Sequence, residues 1–150
     1  IEATQRGVLG GFPCVDYKAT LDFGSFHAVD SSEMAFKVAG SLAFRKGAEE
    51  SGMRLLEPIM ELEVITPEDF MGDIMGDLNS RRGRVLGMDS KGKNQIVKAL
   101  VPMAEVLTYA PDLRSMTGGR GNFTMTFVQY DEVPVQLAQK IIDDANTEKE

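Results

Sequence analysis

LLEPIMELEVITPEDFMGDIMGDL, residues 55–78, changes its period halfway along. In its first part Ile59, Glu61, Glu63 and Ile65 alternate with Met60, Leu62 and Val64. A period of two is that of a strand, here with Met60, Leu62 and Val64 as its apolar face. Thr66-Pro67-Glu68-Asp69 then reads as a helix start, with Thr66 as N-cap, Pro67 as first helical residue and acids in the first turn. Phe70, Ile74 and Leu78 follow at helical spacing, and Gly83 closes the helix. Beyond it come a short strand over 84–88, a turn over 89–94 and a return strand over 95–101. A second helical region lies between Met103 and Thr117, which Pro111 restarts or kinks. Gly118-Gly119 leads into a strand over 122–130 with Phe123, Met125 and Phe127 on one face. The order is β-α-β-β-α-β. That order predicts a ferredoxin-like domain: a four-stranded antiparallel sheet with both helices on one face.

The flanks are less complete. Residues 1–6 read as the tail of a helix stopped by Gly7. From Pro13 to Phe23, Val15, Tyr17, Ala19, Leu21 and Phe23 alternate with Asp16, Lys18, Thr20 and Asp22, which predicts a half-buried strand. Gly24 and Ser25 break it. Residues 31–50 form a long helix ended by Gly52, and Asp30-Ser31-Ser32-Glu33 supplies its capping oxygens, with Glu33 three residues after Asp30. After Pro134, Leu137, Ala138, Ile141, Ile142 and Ala145 form the stripe of a terminal helix. One strand and one helix are too little to close a core, and the terminal helix is surplus to the sheet domain. Each supplies what the other lacks if the terminal helix returns to the first unit. The expected division is 1–54, 55–132 and 133–150, in an α+β chain.

Bulk properties exclude several classes. The 150 residues carry a formal net charge of −7, which rules out an all-round basic nucleic-acid binder. The charge is uneven. Residues 131–150 set Lys140 and Lys149 against Asp131, Glu132, Asp143, Asp144, Glu148 and Glu150. The rest is near balance, with Arg81, Arg82 and Arg84 close together and Arg114 and Arg120 further on. No apolar run approaches the ~18 residues that span a bilayer, and residues 1–6 do not read as a signal peptide. Cys14 is the one cysteine, so no internal disulfide is expected, and it reads as a small hydrophobe in a strand. With one Cys and one His, the chain offers no zinc set of the usual kind.

Three places could carry chemistry. His27, the one histidine, sits in a short loop whose base is capped, so the loop can hold a side chain at a fixed position. No Ser or Cys stands in a G-x-S-x-G context, so hydrolysis is not expected. Asp73 and Asp77, with Glu68 and Asp69 a turn earlier, could hold a metal or act as acid and base, or form a solvated face opposite Phe70, Ile74 and Leu78. Gly118-Gly119-Arg120-Gly121 follows a helix rather than preceding one, and no phosphate-loop motif occurs, so neither GTP nor ATP is expected to bind here by that route. Arg81-Arg82-Gly83-Arg84, supplemented by Arg114, is either a solvated helix end or a phosphate contact for structured RNA read by shape. The residues alone therefore leave two classes: an RNA- or ribosome-docking module, and a ferredoxin-like regulatory or small-molecule-binding domain.

A family resemblance bears on that choice. Gly11-Phe12-Pro13 and Gly24-Ser25-Phe26-His27-Ala28-Val29-Asp30-Ser31-Ser32-Glu33-Met34-Ala35-Phe36 resemble the fourth domain of bacterial elongation factor G. Leu55-Leu56-Glu57-Pro58-Ile59-Met60, Gly72-Asp73, Gly76-Asp77, Arg81-Arg82-Gly83, Tyr109, Leu113-Arg114-Ser115, Tyr130 and Pro134 resemble its fifth. The resemblance implies the later part of domain IV, a fold like domain 2 of ribosomal protein S5, then a ferredoxin-like domain V and a terminal helix returning to domain IV. It implies a cytoplasmic ribosome-binding fragment without catalysis of its own, with no cofactor or metal, and with GTP and magnesium bound upstream in the parent. The implied partners are the small-subunit decoding region, large-subunit rRNA at the factor-binding region, tRNA and mRNA, with no membrane or DNA. Ser25, Phe26, His27, Ala28 and Asp30 fall at the decoding-site tip, and Arg81, Arg82, Arg84, Arg114 and Arg120 are the implied rRNA contacts. Phe26 stands where Tyr is common, Ala28 where an acid is common and Cys14 where Val is frequent, and Thr108 and Pro111 depart from the usual Gly-Tyr-Ala-Thr run. These departures point to a divergent second copy, with ribosome recycling or ribosomal protection as alternatives to translocation.

Overall fold

The computed structural model describes residues 2–147; Ile1 and the acidic residues of the tail, Glu148 and Glu150 with Lys149 between them, lie outside it. The chain divides into two compact units, one made of residues 1–55 and 133–150, the other of residues 56–132.

The second unit is built on β1 (Leu56–Pro67), β2 (Arg84–Lys91), β3 (Asn94–Pro102) and β4 (Asn122–Glu132). The sheet order is β2-β3-β1-β4 and every pairing is antiparallel. Helices α3 (Met71–Ser80) and α4 (Tyr109–Met116) complete the expected βαββαβ order. The register stacks Leu62 beside Ala99 and Met125, and Val64 beside Val97 and Phe123. Ile74 and Leu78 of α3 and Tyr109 and Leu113 of α4 close over that face, and Leu62, Val64, Ile74, Leu78, Val97, Ala99, Val101 and Tyr109 are fully buried. The predicted apolar face of β1 is thus the floor of the core. On the opposite face Lys98 pairs with Glu63 at 3.3 Å.

Details of the helix starts differ from expectation. β1 runs through Thr66 to Pro67, and a 3-10 turn over Glu68–Phe70 precedes α3, whose N-cap is Phe70 without a side-chain bond. Thr66 is fully buried and caps nothing, because β1's pairing with Gln95 holds it in the ladder. The second helical region divides into a 3-10 turn (Met103–Val106) and α4, and Pro111 lies in the first turn of α4. A first-turn proline forfeits no intrahelical bond, so it neither kinks nor breaks the helix. The hairpin turn is also tighter than read: Lys91 pairs with Asn94, leaving two residues between.

In the first unit, α1 (Glu2–Arg6) and α2 (Glu33–Glu50) form as expected. The predicted strand over 13–23 does not. Those residues carry no ladder and are exposed apart from a half-buried Cys14. Alternation gives a strand a face, but the backbone needs a neighbour to accept and donate its hydrogen bonds; no described residue pairs with this segment as a strand. Tyr17 does pack edge-on against Phe44 of α2, ring centres 5.7 Å apart. The terminal helix α5 (Val135–Thr147) belongs to this unit: Val133 N–H donates to Leu55 O at 2.9 Å, and Ala138 and Ile142 line a groove with Leu9 and Met53.

Candidate functional site

The loop before α2 is closed by two reciprocal bonds. His27 N–H donates to Ser31 Oγ at 2.8 Å, and Ser31 N–H donates to His27 O at 2.9 Å. Ser32 then caps α2, its hydroxyl accepting from Ala35 N–H at 3.1 Å. Of the capping oxygens that Asp30-Ser31-Ser32 offers, the one used is that of Ser32. Asp30 instead faces the imidazole, its carboxylate 3.3 Å from His27 Nδ1. Val29 N–H also approaches Nδ1, at 3.4 Å. Nδ1 can serve one of these at a time: carrying a proton it donates to Asp30, without one it accepts from Val29.

Every residue from Ser25 to Asp30 is exposed. Phe26 and Val29 show 74% and 84% of their surface, and the His27 side chain 70%, so three rings or branched chains stand in water around a closed turn. Burying apolar side chains is the ordinary outcome. A hydrogen-bonded loop that presents them outward has the form of a contact surface rather than of a catalytic cleft.

In the second unit the arginines separate into two groups. Arg81 is half-buried and fully engaged. Its Nε donates to Asp77 Oδ2 at 2.8 Å, Nη1 to Glu105 O at 2.7 Å and Nη2 to Asp112 Oδ2 at 2.7 Å. Its guanidinium carbon lies 5.1 Å from the ring centre of Tyr109. The bond to Asp77 raises the Arg81 pKa further above its ordinary value, against the opposing effect of burial. Burial likewise pushes the Tyr109 phenol up, with Asp77 adding to it. Arg82 makes a two-pronged pair with Glu57, Nη1 to Oε1 at 3.0 Å, and its Nε reaches Glu105 Oε1 at 3.0 Å. These bonds tie the end of α3 to β1, to the 3-10 turn over 103–106 and to α4.

Arg82 holds this position at the expense of its backbone, with φ of +58°. The left-handed residue after a helix is usually glycine. Here Gly83 stands one place later, because its N–H donates to Leu78 O at 2.8 Å and a Cβ there would meet that oxygen at 2.5 Å. Close approach demands the glycine, and the ion pairs hold the arginine in the strained place.

Arg84, Arg114 and Arg120 are exposed. Arg120 lies over the ring of Phe70, 4.5 Å from its centre. Asp77, read as half of an acid pair with Asp73, is turned to Arg81, and no group of three or more metal-ligating side chains occurs among the described residues. The i,i+4 spacing of Asp77 and Arg81 was readable from a helix. Glu57, Glu105, Asp112 and Phe70 were not, since their partners lie far along the chain.

Comparison with known proteins bears on what these surfaces meet. The family model "Elongation factor G, domain IV" matches residues 1–52, and "Elongation factor G C-terminus" matches residues 54–141. Among curated proteins, elongation factor G of Aquifex pyrophilus is 58% identical over 141 residues, which are 94% of this chain and 20% of that protein. A crystal structure from Thermus thermophilus superposes with a TM-score of 0.83 at 48% identity, covering 97% of this chain and 22% of that one. The chain therefore spans about a fifth of the length of the curated relative it matches.

Proposed function

This chain belongs to the elongation factor G family, and on that premise we propose that it is the ribosome-binding C-terminal region of a cytoplasmic translational GTPase that moves tRNA and mRNA through the ribosome. In this reading the 25–30 loop meets the decoding region of the small subunit beside tRNA and mRNA, and the 56–132 unit docks on large-subunit rRNA. GTP and magnesium belong to the upstream part of the parent, and this C-terminal region is not itself catalytic. Residues 1–54 and the helix of 133–150 act as one domain and 55–132 as another.

The observation that supports the reading best is the closed, fully exposed loop at His27. The His27–Ser31 pair of bonds closes its turn and Ser32 caps the helix at its base, so its side chains are presented to a partner with less to order at contact. Charge refines the rRNA assignment. Arg81 and Arg82 have carboxylate partners and brace the fold, whereas Arg84, Arg114 and Arg120 face outward. The last three are the ones we assign to RNA.

Single-round translocation by the full-length parent on programmed ribosomes tests this. His27→Ala should slow translocation about tenfold or more while leaving ribosome binding intact. A wild-type parent that fails to translocate but splits post-termination ribosomes would assign it to recycling instead.

A further inference from the structure

Resting on the ribosome-binding reading, we infer that Phe70 and Arg120 form a stacking platform for an unpaired base of a structured RNA, distinct from the phosphate contacts of the other outward cations. The two residues are fifty positions apart and meet because β1 and β4 are neighbours. Ile65 pairs with Asn122, so the turn after β1 and the loop before β4 emerge at the same end of the sheet. Pro67 pairs with Asn94, which brings the β2–β3 hairpin to that end as well, with exposed Lys91 and Lys93.

Four hydrogen bonds close the loop that carries Arg120. Gly119 N–H donates to Arg114 O at 2.9 Å, across the left-handed Gly118, φ +56°. Arg120 N–H donates to Thr117 O at 3.1 Å. The fully buried Thr117 hydroxyl donates to Leu113 O at 2.7 Å and accepts from Gly121 N–H at 2.8 Å. A Cβ at Gly121 would meet the Thr117 side chain at 2.9 Å, so the loop closes tightly on its pin. The guanidinium is thus held over Phe70 at 4.5 Å from the ring centre while the side chain remains exposed to solvent.

The position of the guanidinium over the Phe70 ring, more than local charge, selects the ligand. Glu68 and Asp69 precede Phe70 directly and are both exposed. Exposed Lys91 and Lys93 at the same end offset them, so what favours a base is the guanidinium lying over the Phe70 ring, to which a base adds an uncharged π-face. Guanidinium is weakly hydrated and planar and stacks readily on such faces. In structured RNA the bases free to stack in this way are those of loops and bulges.

The test is equilibrium binding of the full-length parent to vacant ribosomes across a potassium chloride series. Phe70→Leu and Arg120→Lys should each weaken binding about tenfold. Neither changes the net charge, so the salt slope should stay that of wild type. The double variant should be little weaker than the worse single one, because one platform is lost. Arg120→Lys leaves Phe70 in place and alters an exposed side chain, so it reads stacking without disturbing the core. If Arg120→Gln weakens binding with a shallower slope and Arg120→Lys restores it, Arg120 is a phosphate contact and the inference falls. If Phe70→Leu and Arg120→Lys bind like wild type while Arg114→Gln weakens binding, the platform is refuted and ribosome docking stands. Absence of binding by wild type overturns both.

Discussion

Leu62 and Leu21 occupy similar sequence patterns and opposite environments. Leu62 shares the apolar face of an alternating run with Met60 and Val64 and is fully buried; Leu21 shares that of another with Ala19 and Phe23 and is 91% exposed. The difference holds for the regions around them. In the 56–132 unit the two helices and four strands seal a continuous core. In the other unit Ala48 and Val133 are the buried apolar residues among those described, while Phe23, Phe26, Val29, Met34 and Leu42 lie open. Alternation specifies which side of a strand is apolar, but burial requires a second layer and a ladder partner. One unit contains both within its own residues. Many of the apolar residues of the other are left as surface, and its ordered structure rests more on hydrogen bonds and caps.

The comparison is tested most severely at those two leucines. Leu62→Ala should destabilise the 56–132 unit by about 3 kcal/mol, since the residue is sealed between strands and helices. Leu21→Ala should change stability by less than about 0.5 kcal/mol. Amide exchange in β1 and β3 reads the first without assuming that the two units unfold together. Equal effects at the two positions would mean that the 13–23 segment is packed in solution, contrary to its exposure in the structure.

A second contrast lies inside the 56–132 unit, between arginines that brace and arginines that face solvent. Arg82→Ala removes the partner of Glu57, whose side chain is 12% exposed, and should cost about 2 kcal/mol. Arg82→Gly should cost about 1 kcal/mol less than that, because glycine adopts the left-handed conformation without strain. Urea unfolding of the two variants measures the difference. Arg84→Ala, at an exposed position, should leave the midpoint unchanged. A large loss there would erase the division between bracing and outward cations.

Thr117 tests how far the same unit relies on buried polar bonds. Thr117→Val keeps the shape and removes a hydroxyl that both donates to Leu113 O and accepts from Gly121 N–H. About 1.5 kcal/mol should be lost, with faster amide exchange at Gly121 as the local sign. Unchanged exchange there would show that the loop is not held by this pin.

Much of this was legible beforehand where period and chemistry agreed. The switch from alternation to helical spacing at residues 59–78 fixed β1 and α3, and the order of elements around it carried the topology. Less of the site could be read. His27 stood out because it is flanked by turn and capping residues. The partners of Arg81 and Arg82 did not, because Glu57, Glu105 and Asp112 reach them through tertiary packing that no local spacing encodes. Arg120 on Phe70 depends in the same way on β1 lying next to β4. Thr66 misled for a related reason: its type and its Pro67 neighbour fit a cap, yet the ladder extended past it and buried it.

The smallest effect discriminates between two rival caps in the same turn of chain. Asp30 and Glu33 have capping-box spacing, and so Asp30 could have been the residue that anchors α2. The geometry gives that role to Ser32, whose hydroxyl accepts from Ala35 N–H, and turns Asp30 to His27. Ser32→Ala should therefore lower the stability of the first turn of α2 by about 1 kcal/mol, seen as faster exchange at Ala35. Asp30→Ala should leave Ala35 exchange unaltered, since exposed contacts such as that to His27 contribute little to stability. What Asp30→Ala should change is the setting of the imidazole, which loses its contact to Asp30 Oδ2 and keeps the one to Val29 N–H. The reverse pattern of Ala35 exchange would mean that the loop is anchored through Asp30.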